Sequence, residues 1–223
     1  MTWIKDVLKS LMEKIGVSKP QLEKEEKKMA DFDKAFEITM GHEGGYVHDP
    51  DDPGGETYKG VARGRHPTWR GWAVIDKKKS QPNFPKNLDS DEDLQECIKE
   101  FYKLNFWDHV GGDSIPDNDI GIELFDTAVN MGVYWASMFL QQTLNLLNKQ
   151  GILYPDISED GAVGKNTINA LKTLLSHDPP ELVLLWLNVF QGCRYSDITK
   201  GNPKLEKYMR GWSKRLKVAK QYG

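Results

Sequence analysis

"DFDKAFEITMGHEGGYVHDPDDPGGETYKG", residues 31–60, couples a helix-like run to a loop dense in glycine, proline and carboxylates. Asp31 has the chemistry of an N-cap, and Phe32, Phe36, Thr39 and Met40 then fall on one helical face. Glu43 follows Phe32 by 11 positions and Phe36 by seven. At about 100° per residue both offsets return it to within roughly 20° of that apolar face. The pattern predicts a helix that carries Glu43 inward and stops at Gly44 and Gly45. A carboxyl placed among hydrocarbon, near the negative end of a helix dipole, has its pKa raised and can hold a proton at neutral pH as a general acid. The structural alternative is an ion pair of Glu43 with a buried arginine, Arg194 or Arg210.

Residues 44–68 form a long glycine-rich stretch, unusual in a compact domain unless it does something. Asp49, Asp51 and Asp52 sit on its turns, with Thr57 and Tyr58 just beyond. A second carboxylate kept ionised across a cleft from Glu43 meets the requirement for glycoside hydrolysis. Calcium does not fit, because counting from Asp49 puts Pro53 at the fifth position and Gly60 where an EF-hand needs its closing glutamate. His42, His48 and His66 match no zinc spacing and read as surface or hydrogen-bonding residues. A P-loop would need a Lys-Ser/Thr ending and a preceding strand. The chemistry as read calls for no metal and no organic cofactor.

The rest of the chain is mostly helical in period, with a possible short strand around 58–62. Helices are expected over 69–76, from Ser90 or Asp91 to about Trp107, from Asp117 or Asn118 to a break at Gly132, and over 134–148. Another opens at Pro179–Pro180, and its segment 182–190, apolar almost all round, should be central. A last helix opens at Asn202–Pro203. The fold class is therefore mainly α. Among 223 residues, 30 basic side chains face 33 acidic ones, a net charge of −3, so no global field argues for nucleic acid or an anionic membrane. Cys97 and Cys193 fit helix patterns and read as two buried thiols. No stretch reaches the roughly 20 apolar residues of a transmembrane helix. Ile4, Val7, Leu8, Leu11, Met12 and Ile15, interleaved with charges, describe an amphipathic helix rather than a signal peptide.

"GHEGGYVHDPDDPGGETYKGVA" (41–62) resembles the signature of glycoside hydrolase family 108, lysozyme-like muramidases often labelled secretion activator proteins. The resemblance implies a lysozyme-like helical fold and carries the family's catalytic glutamate onto Glu43. More distantly, Glu43, Asp52 and Thr57 are similar in order to the glutamate, aspartate and threonine of phage lysozymes. Asp51 fits the aspartate-to-threonine gap better, so both aspartates stand as candidates. "ELFDTAVNMG" (123–132) is similar to the family's helix along the sugar groove. Asp126 and Asn130, four apart, could both reach one saccharide or simply pair on the helix surface. Tyr46, Tyr58 and Trp69 are candidates to stack on sugars or to pack in the core. "FLQQTLNLLN" (139–148) and "DGAVGKNTINAL" (160–171) resemble a three-helix peptidoglycan-binding module, with a tight turn at Asp160–Gly161.

These readings divide the chain into an N-terminal amphipathic helix and connector (1–30), a lysozyme-like catalytic half (31–124) and a C-terminal helical half (125–223) packed with it. The implied activity is cleavage of the β-1,4 bond between N-acetylmuramic acid and N-acetylglucosamine, with peptidoglycan glycan strands as partner. The alternatives are a non-catalytic peptidoglycan-binding module and a secretion accessory protein. Without a signal peptide, synthesis in the cytoplasm is expected, followed by action at the cell wall after passage through a holin or a secretion system.

Overall fold

The computed structural model describes residues 29–41, 44–49 and 54–216. The expected amphipathic segment at 1–30 therefore lies almost wholly outside the described residues. Eight α-helices and one small sheet make up the described chain, a mainly α, lysozyme-like fold.

Helix α1, Phe32–Met40, starts where expected: the Asp31 carboxylate accepts from the Asp33 and Lys34 N–H groups at 2.9 and 3.3 Å. Its end comes earlier than the periodicity suggests. Gly41 is the C-cap, its N–H bonded to the Glu37 carbonyl, because glycine propagates a helix poorly. Phe32 then packs 5.5 Å from Trp107 and 5.8 Å from Phe125, ring centre to ring centre.

Three short antiparallel strands follow: β1, Tyr46–His48; β2, Glu56–Tyr58; and β3, Val61–Ala62. Tyr46 faces Tyr58, and Val47 faces Thr57, which in turn faces Ala62. Tyr46, Glu56, Tyr58 and Val61 thus share one side of the sheet, and Val47, Thr57 and Ala62 the other. The turn between β2 and β3 has positive φ at both Lys59 (42°) and Gly60 (80°), the two-residue hairpin geometry that glycine favours.

Helices α2 (Gly71–Lys78) and α3 (Glu92–Tyr102) close this lobe. Asp91 caps α3 by accepting from the Leu94 N–H, and a π-helical turn, Lys103–Trp107, extends it. Helix α4, Asn118–Met131, is capped by Asp117 and is the buried axis of the molecule, packed against α1 and two later helices. It runs unbroken through the expected divide at residue 124. At Gly121 a Cβ would come within 2.4 Å of the Ala30 Cβ, so only glycine admits the approach of the segment leading into α1 there.

Gly132 (φ 92°) turns the chain into α5, Val133–Leu147. Helices α6 (Lys165–Leu174), α7 (Pro180–Gly201) and α8 (Glu206–Trp212) complete the fold. Contrary to expectation α7 is not central. It buries one stripe, Val183, Leu187, Gln191, Tyr195 and Thr199, against α4 and α5, and leaves Val189 39% exposed. Lying on one flank of α4, it has only one face to bury. Cys193, on its outer side, is exposed, a second departure; Cys97 is buried, and both thiols are free.

Between α5 and α6 the loop is held by amides spaced along α5 at one-turn intervals. Buried Gln141 donates to Asp160 (2.8 Å) and to the Ala162 carbonyl (3.0 Å), and accepts from the Gly161 N–H (2.9 Å). Asn145 binds both the carbonyl and the N–H of Ile157, and Asn148 binds Asp156. Gly161 (φ 74°) makes the expected turn, and a Cβ there would lie 2.3 Å from the Tyr134 ring.

Candidate active site

A carboxylate that the sequence did not single out organises the sheet. Glu56, 9% exposed, accepts from the Tyr46 hydroxyl at 2.5 Å, pairs with Arg63 at 2.5 Å and takes a further ion pair from Lys79. Arg63 also grips Asp76 through two bonds of 2.8 and 2.6 Å, and lies over the Trp72 ring. Burial alone would raise the Glu56 pKa, but hydrogen bonds from Lys79, Tyr46 and Arg63 outweigh it and bring it down to about 2. Bonds from Arg63 and Lys79 likewise hold Asp76 below the usual carboxylate range. Glu56 is therefore an anion at any physiological pH and unsuited to donating a proton. Its work is to fix β1, β2 and α2 to one another.

Tyr58 anchors the same hairpin to α3. Its ring is fully buried, its hydroxyl bonds to Asp89 at 3.4 Å, and Gln95 donates to it at 3.0 Å. The Tyr102 hydroxyl holds the Lys59 carbonyl at 2.8 Å. The β2–β3 turn is thus braced against the end of α3.

A cleft of about 390 Å³ opens between that turn and α4. Gly60, Ala62, Arg65 and His66 form its sheet-side wall; Phe101, Tyr102 and Phe106 form the floor; Ala128, Val129 and Gly132 supply the wall from the last turn of α4. Tyr102 and Phe106 stack at 5.4 Å, and His66 stands edge-on to Phe101 at 4.8 Å. A trough with an aromatic floor and with Arg65 and His66 along one wall suits a ligand with a nonpolar face and polar substituents. A larger recess, about 620 Å³, lies between the start of α1 and the outer side of α3, where Lys99 and Lys103 are paired with Asp33, Asp108 and Asp113. It contains none of the candidate site residues read from the sequence.

Of those residues, Glu43, Asp51 and Asp52 lie outside the described residues. Thr57 is half-buried on β2 and shares its side of the sheet with Ala62 of the cleft wall. Tyr46 and Tyr58 are on the opposite side. The Tyr46 hydroxyl is committed to Glu56 and its ring meets Phe84 edge-on at 4.9 Å, while Tyr58 is a core residue with no exposed surface for a sugar. Trp69 is half-buried, donates to the Cys97 carbonyl at 3.3 Å and stands edge-on to Trp72. The Asp126 carboxylate is paired with Arg215 at 2.8 Å, and Asn130 donates to the Asp126 carbonyl at 2.7 Å. α4 and its C-cap border the cleft with Ala128, Val129 and Gly132, whereas Asn130 and Met131 line a separate recess. The aromatic floor was missed because "FYKLNFW" (101–107) reads as the inward stripe of a helix, and a cleft floor carries the same signal as a core.

Residues 36–132 match the family model described as glycosyl hydrolase 108, and residues 135–217 match that of a predicted peptidoglycan domain. Among solved structures the chain is similar to SagA of Brucella abortus, 22% identical with a TM-score of 0.53, over 83% of this chain and 88% of that one. That likeness is one of fold. No curated protein matches.

Proposed function

Because residues 36–132 match the glycosyl hydrolase 108 model and residues 135–217 that of a peptidoglycan domain, we propose that the chain is a member of that family and an N-acetylmuramidase. It cleaves the β-1,4 bond between N-acetylmuramic acid and N-acetylglucosamine in bacterial cell wall. The observation that carries this reading is the cleft: every residue of its lining falls inside the hydrolase match, and Thr57 shares a sheet side with its wall.

In this mechanism Glu43 protonates the leaving glycosidic oxygen, and Asp52 or Asp51 steadies the oxocarbenium-like centre or positions the attacking water. Glu56, four positions beyond Asp52, is an anion held by Tyr46, Arg63 and Lys79, and so leaves the acid role to a carboxyl outside that network. Thr57 stands beside the reacting sugar, and His66 and Arg65 offer donors to its substituents. The protein works at the cell wall, which it reaches through a holin or a secretion system.

Glu43→Gln tests the assignment. Release of new reducing ends from purified peptidoglycan should fall by roughly 10²–10⁴-fold, the range for loss of a general acid, with an unchanged circular dichroism spectrum. Retained hydrolysis removes Glu43 from the role. Wild-type protein that sediments with peptidoglycan yet releases no reducing ends would instead be a binding module.

A further inference from the structure

Behind the last turn of α4 lies a recess of about 230 Å³ walled by Asn130, Trp135, Arg194, Tyr195 and Trp212. Its aromatic faces are already covered. Trp212 stacks on Tyr195 at 5.1 Å and on Tyr208 at 6.0 Å, and the Arg194 guanidinium lies 4.0 Å over the Trp135 ring. Beside the apolar Met131 and Ile198, the recess presents two unpartnered polar groups. Tyr195 is only 3% exposed, yet its hydroxyl has no hydrogen-bond partner among the described residues, and neither has the buried Nε of Arg194. Leaving such groups unpaired costs stability, and a ligand that satisfies them recovers it. Burial pushes the Tyr195 phenol up to about 12, so it stays protonated and able to donate. The nearby Asp126 carboxylate is engaged by Arg215 and leaves Arg194 to another anion. Two donors with no sugar-stacking face between them match an oxygen acid better than a pyranose ring.

Position adds a second argument. Ala128, Val129 and Gly132 border the cleft while Asn130 and Met131 border the recess, so one helical turn separates the two. A helix is about 10 Å across, and an extended peptide advances about 3.5 Å per residue, so a short peptide attached to a glycan in the cleft reaches round it. We propose that the recess is a subsite for an organic carboxylate borne by the peptidoglycan strand, supplied by its peptide stem or, where the stem is absent, by the free lactyl carboxylate of muramic acid. This rests on the peptidoglycan reading above and deepens it.

Calorimetric titration of the full chain with N-acetylmuramyl-pentapeptide, N-acetylmuramic acid and neutral chitotetraose tests the subsite. Arg194→Met should weaken the carboxylate probes by about tenfold or more, the scale of one charge-assisted pair, and leave chitotetraose unchanged. Tyr195→Phe should weaken them about three- to tenfold without lowering Tm, since it deletes an unpaired buried hydroxyl. Preference for the pentapeptide assigns the stem as source, and preference for N-acetylmuramic acid, whose lactyl carboxylate is free where the pentapeptide's is amidated, assigns the lactyl group. Wild-type protein that binds neither carboxylate probe overturns the proposal. So does an Arg194→Met protein that binds them as before, or one that loses chitotetraose equally. Binding is read without hydrolysis, so this outcome is separate from that of Glu43→Gln.

Discussion

The two halves of the molecule solve one problem, holding irregular chain in place, by different chemistry. Around the sheet the fasteners are charges: Glu56, Arg63, Asp76 and Lys79 pin strands of two or three residues. Around the loop between α5 and α6 they are amides, with Gln141, Asn145 and Asn148 holding a segment of similar irregularity. The charged fasteners titrate outright, whereas Gln141 depends on pH only through Asp160, one of its three partners. The cleft is therefore built on the half whose geometry answers more strongly to acid.

Breaking the charged half should produce the largest stability effect. Glu56→Gln leaves Arg63 and Lys79 short of a partner at a site 9% exposed, costing about 3 kcal/mol at neutral pH. For a chain of this size that is a drop in Tm of about 6–12 °C in thermal melts. Because folded Glu56 titrates at about 2 rather than near 4.5, its contribution is whole above pH 4.5 and drains away as pH falls toward 2. The gap in Tm between wild type and variant should therefore narrow across that window. A constant gap would mean that the carboxylate charge is not what holds the sheet.

Gln141→Ala sharpens the contrast from the other side. It deletes three hydrogen bonds at a fully enclosed position, worth about 2–3 kcal/mol, and its Tm loss should shrink only slightly between pH 7 and pH 3, because just one of the three partners, Asp160, titrates. Tyr46→Phe, which removes one hydrogen bond from Glu56, should cost least, about 1 kcal/mol in chemical denaturation.

The helical frame was legible because its signals are local. Asp31, Asp91 and Asp117 cap the helices that the pattern assigns to them, and Gly132 breaks the chain where expected. The sheet was nearly invisible, since strands of two or three residues are too short to display alternation. Glu56 was missed because its partners Tyr46, Arg63 and Lys79 are spread along the chain, and spacing reveals pairs only within one element. The centrality expected of α7 failed for a related reason: apolar composition says what can be buried, and neighbours decide which face is. Tyr58 turned out to be scaffold by the alternation of a strand too short to recognise.

Gly132 carries one more consequence. It is a single-residue joint between α4 and α5, with the cleft on one side of it and Trp135 just beyond. Each residue added to a helix swings everything downstream through about 100°. The screw phase of one half against the other is thus set by chain length at this point, and an insertion of even one residue would leave both halves intact but aimed at different parts of the same polymer.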